Sequence, residues 1–70
     1  MNITGKLTRE AGAWKIKDIA TGKVYGLTGV DFPPRVENLT ARVVGLPEDS
    51  FGGGVLTDEI VIVVQQWKVV

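Results

Sequence analysis

Residues 60–70, IVIVVQQWKVV, limit what this chain can fold into more than any other stretch. Ile and Val fill positions 60–64 without interruption. Their β-branched side chains are stiff at the first torsion and suit a pleated strand better than a helical turn. A β-strand is therefore expected to close the sequence. The apolar run is far too short to span a bilayer as a helix.

The chain has 70 residues, enough for one domain (1–70) with a small core. A domain of this size rarely gains more than about 3–5 kcal/mol from its core alone, and small scaffolds often lean on disulfides, metals or association. With no Cys and no His, this sequence has neither disulfides nor the commonest transition-metal ligands. Association remains the available support. A hydrophobic fraction of 44% beside 23% charged residues is that of an ordinary globular protein. No basic segment followed by a long apolar one opens the chain, so a cytoplasmic location is the default expectation.

Net charge is zero, but the two halves differ. Residues 1–30 carry Lys6, Arg9, Lys15, Lys17 and Lys23 against Glu10 and Asp18, whereas residues 31–70 have twice as many acids as bases. A face built from the N-terminal strands would be mildly basic and could steer a polyanion.

Residues 3–9 alternate with period two, placing Ile3, Gly5 and Leu7 on one face, as a half-buried strand requires. Gly5 marks a bend or a close approach of another backbone. A second strand is expected over 13–19, with Trp14 and Ile16 inward and Lys15 and Lys17 outward. Gly22 supplies the positive φ of a hairpin turn, and a third strand over 23–27 follows, with Tyr25 and Leu27 inward. Pro33 and Pro34 exclude a central strand; Pro34 suits the first position of a helical turn of one or two turns at most. A fourth strand is expected over 40–46, ended by Pro47. Gly52, Gly53 and Gly54 mark a long, mobile loop before the last strand.

Gly5 in the first strand, Val24-Tyr25-Gly26-Leu27 after a Thr-Gly-Lys turn, Ala41-Arg42-Val43-Val44-Gly45 and the Val-rich last strand together resemble the OB-fold, and in particular short bacterial OB-type domains of unassigned function. The resemblance implies an all-β, five-stranded, small Greek-key barrel with at most one short helical turn between strands three and four. The Pro-rich insert is shorter than the helix that usually plugs an OB barrel, which keeps an SH3-like barrel as the alternative.

By that resemblance a ligand face would lie on strands two and three, where Lys15, Lys17 and Lys23 accompany Trp14 and Tyr25. Single-strand binders need cations for phosphates and aromatic rings for base stacking. Here the two kinds alternate and so point to opposite faces, which assigns the aromatics to the core and the lysines to solvent. Other candidates carry less. The glycine run lacks the Lys-Ser or Lys-Thr of a phosphate loop, and Thr21-Gly22-Lys23 lacks the upstream glycine. Glu48, Asp49, Asp58 and Glu59 fit no known metal loop, so no metal or other cofactor is expected. Without His or Cys, and with no nucleophile–base pair around Ser50, no enzymatic activity is expected.

The closing strand offers apolar side chains to both faces. Either Val61, Val63, Trp67 and Val69 face the core, or a bulge at Gln65-Gln66 turns Ile60, Ile62, Val64, Trp67 and Val69 inward. A contiguous outward apolar patch is rare on a monomer. The expectation is thus a non-catalytic interaction module, self-associating or joining a protein partner through Ile60, Ile62, Val64 and Phe51. Weak single-stranded nucleic-acid binding through Lys15, Lys17 and Lys23 is the alternative.

Overall fold

The computed structural model describes residues 1–48 and 60–70. Its elements are β1 (Asn2–Glu10), β2 (Ala13–Asp18), β3 (Val24–Thr28), the 3-10 turn η1 (Pro34–Val36), β4 (Thr40–Pro47) and β5 (Val61–Val69). The strands close into a barrel in the order β1-β2-β3-β5-β4, with β4 returning to β1. Every neighbouring pair is antiparallel except β3 and β5, which run parallel with Leu27 beside Ile62. The five strands, their order of occurrence and the single helical turn are those expected from the sequence, with ends shifted by a residue or so. Among the described residues no helix is long and apolar enough to cross a membrane.

Period-two alternation in the sequence becomes inside and outside in the barrel. Ile3, Leu7, Trp14, Ile16, Tyr25, Leu27, Ala41, Val43, Ile62 and Val64 form the core contributed by the strands. Gly5 sits among them because β1 must bend to pair with both β2 and β4. A Cβ there would run into the carbonyl oxygen of Lys17, so this is the close backbone approach that Gly5 signalled.

The turns follow from local chemistry. Ala11 and Gly12 both take positive φ (51° and 81°), as a two-residue hairpin between right-twisted strands demands. Between β2 and β3 the Asp18 carboxylate accepts hydrogen bonds from the Ala20 amide (2.9 Å) and the Thr21 hydroxyl (3.3 Å), and Gly22 adopts φ 77°. An aspartate and a glycine thus shape a longer turn than a minimal hairpin.

One barrel end is plugged by the connection between β3 and β4. Phe32 lies between Trp14 and Trp67, with ring centroids 5.2 and 4.9 Å away, and Val36 is fully buried. Leu7 then exchanges backbone hydrogen bonds with Asn38 and Leu39, which fastens the connection to β1. Pro34 holds the first position of η1, where a missing N–H costs nothing.

The last strand takes the bulged register. Gly45 faces Val64 but Val44 faces Gln66, leaving Gln65 as the extra residue. Ile62 and Val64 consequently point inward, Trp67 packs against the core, and Gln65 and Gln66 are both exposed; Ile60 and Val69, expected inward in this register, are exposed at the ends of the strand.

Candidate anion-binding face

The expected association surface is corrected by this register. Ile62 is 0% and Val64 8% exposed, so both belong to the core and neither can meet a partner. The physical reason is the bulge, which reverses the side-chain sense of the strand on either side of Gln65. Ile60 remains exposed, and Phe51 lies outside the described residues, as do the glycine run and Asp49, Asp58 and Glu59. What β5 does present outward is Val63, opposite Leu46 of β4, at 38% and 56% exposure.

The proposed ligand face on β2 and β3 divides as its alternation requires. Trp14 and Tyr25 are buried core residues, unavailable as stacking platforms. Trp14 is instead covered by Phe32 and by the Arg9 guanidinium, 5.8 Å from its ring. Lys15 is paired with Glu10 at 3.8 Å, while Lys17 and Lys23 are exposed. The three lysines and the two aromatics are therefore not assembled into one surface.

Barrel closure builds a different basic surface. Lys6 of β1 stands directly opposite Lys17 of β2. Arg42 of β4 stands opposite Thr4 of β1 and, on its other side, opposite Lys68 of β5. Since Thr4 and Lys6 are neighbours on one side of β1, Lys68, Arg42, Lys6 and Lys17 form an oblique row, each one cross-strand or diagonal step from the next. Such steps lie within reach of long side chains. The row crosses four strands, three inter-strand spacings or about 14 Å. All four side chains are exposed, and among the described residues none of them forms a salt bridge.

Like charges directly opposite one another on a sheet destabilise it. Lys6 with Lys17 and Arg42 with Lys68 are two such pairs on one small barrel. Their outward neighbours include the uncharged Asn2, Thr4, Thr8, Thr40, Val44 and Gln66, and Lys15 beside Lys17 is paired with Glu10. An anion laid across the row would relieve both repulsions.

Sequence reasoning by halves missed this row because Arg42 and Lys68 come from the acidic half of the chain. Only the β1–β4 pairing brings them beside Lys6. Comparisons with protein-family models, curated proteins and solved structures gave no match to this chain.

Proposed function

We propose that this chain is a non-catalytic, OB-like binding module that holds single-stranded nucleic acid on the outer face of β2, β1, β4 and β5. The observation that carries this reading is the row Lys68, Arg42, Lys6 and Lys17, none of which forms a salt bridge among the described residues. The strand order 1-2-3-5-4 and the parallel β3–β5 pair support the OB-like barrel over the SH3-like alternative. With Trp14 and Tyr25 in the core, affinity comes from phosphate contacts more than from stacking. Binding is accordingly weak and governed by salt.

Four phosphates neutralised on a single strand give a slope of log K against log salt of about −2.8. Affinity should then fall about 50-fold between 50 and 200 mM salt. Fluorescence anisotropy of a labelled oligothymidylate of about twelve nucleotides measures this directly, within the range of one OB-type binding site. A slope near zero, or no binding to high micromolar protein at low salt, would sink the reading.

A second reading rests on Leu46 and Val63, two exposed apolar side chains opposite each other on β4 and β5. Together with the half-buried Val44 and Val61 they form a strip through which two copies could associate. Sedimentation equilibrium should show a dimer that Leu46→Lys dissociates. A monomer at every concentration removes this possibility.

A further inference from the structure

The bulge at Gln65 does more than keep Trp67 in the core. In an unbulged ladder Gln65 would follow opposite Val44, and Gln66 would point inward. The extra residue instead sets Gln66 opposite Val44 on the outer face, across β4 from Asn2, which is itself opposite Val44 on β1. Two residues further along, on the same face, Arg42 and Lys68 stand side by side. These side chains border a recess of about 370 Å³, with Val44 and the half-buried Trp67 completing its lining. That volume is at the small end for ligand sites.

The donor set is specific in kind. Arg42 offers a planar fork suited to two phosphate oxygens, and Lys68 a second point charge beside it. Asn2 and Gln66 each offer an amide donor and a carbonyl acceptor, the pairing that nucleobase edges present in complementary form. Val44 lies between the two carboxamides, opposite both, and gives a base or sugar an apolar place to rest beside the Arg42–Lys68 pair.

We infer that this bulge-built recess on β1, β4 and β5 is a nucleotide subsite, with Arg42 and Lys68 holding a phosphate and the Asn2 and Gln66 carboxamides holding the edge of the adjoining base. The inference rests on the single-stranded nucleic-acid reading above. It adds that one nucleotide of the strand is seated at the bulge, away from β2 and β3, while Lys6 and Lys17 only guide the backbone onward.

The two groups of residues predict different signatures. Removing a phosphate contact lowers the salt slope, whereas removing a base contact lowers affinity at an unchanged slope. Oligothymidylate and oligoadenylate of about twelve nucleotides are titrated against the full chain and against Asn2→Ala, Gln66→Ala, Arg42→Ala and Lys6→Ala. All four positions are exposed, and circular dichroism verifies that each variant is folded.

The expected result is a several-fold loss for Asn2→Ala and Gln66→Ala at constant slope, and a slope smaller by about 0.7 for Arg42→Ala. Titration with inorganic polyphosphate separates phosphate from nucleotide recognition: the two carboxamide variants should bind it as the parent does. If the chain binds oligonucleotide but Asn2→Ala and Gln66→Ala change nothing, the subsite is overturned and the broader reading survives. If no oligonucleotide binds at low salt, both fall together. Equal losses of polyphosphate and oligonucleotide binding in the carboxamide variants also overturn the subsite.

Discussion

Gly5 is the residue where the barrel is tightest. A methyl group there would meet the backbone of Lys17, which cannot swing aside as a side chain tip could. Overpacking against a flexible neighbour costs about 1–3 kcal/mol, and a backbone obstacle places this site at the upper end. Gly5→Ala should therefore lower the melting temperature by about 10 °C or more in a domain of this size, as followed by thermal circular dichroism. Gly22 serves as the contrast. Its surroundings are open and only its φ of 77° is demanding, so Gly22→Asn, which tolerates that region, should melt close to the parent. The alternation Ile3, Gly5, Leu7 made the inward place of Gly5 readable in the sequence. That its obstacle is the Lys17 carbonyl was not readable, because the strand pairing that brings it there is a property of two segments.

At the scale of elements, the strands declared themselves through alternation and through Gly and Pro between them. The closing strand was the exception. Val61, Ile62, Val63 and Val64 are apolar in sequence on both faces, so periodicity could not choose between registers. The choice is made by Trp67, which must reach Phe32, and by Gly45, which has no Cβ to collide with the Val63 carbonyl beside the bulge. Neighbouring substitutions on β5 test that register. Ile62→Lys puts a charge where exposure is zero and should leave the chain unfolded at room temperature, given a core worth only about 3–5 kcal/mol. Val63→Lys points outward and should retain a folded spectrum with a cooperative melt. If Val63→Lys unfolded the chain and Ile62→Lys did not, the bulge would be misplaced.

At the scale of the whole molecule, dividing the charges into a basic and an acidic half of the sequence found Lys6 and Lys17 but not their partners. The Greek-key return lays β4 against β1, and Arg42 and Lys68 arrive on the same face from the far half. A surface is therefore a product of topology, and its sign cannot be summed along the chain. The basic tendency of the N-terminal strands was legible in the sequence; the row that Arg42 and Lys68 complete was not. Trp14 and Tyr25 lie in the core, as their alternation with the lysines implied: in a small core, large rings are needed inside.

The position of β5 between β3 and β4 also orders events in time. The β1–β2–β3 meander needs only local contacts, whereas β5 must be brought back to β3, beyond β4 and η1 in sequence, and to β4 across the 48–60 connection. Contacts of that separation demand loop-closure entropy before they return any energy, which slows folding and defers them to late steps. Ile62→Val should then mainly speed unfolding, while Ile16→Val in the meander should slow folding, as stopped-flow fluorescence of the two Trp would resolve. Until β5 arrives, β3 and β4 each present an open edge. During refolding at high concentration those edges can accept the β5 of another copy, so reciprocal strand exchange is the misfolding route to which this topology exposes the chain.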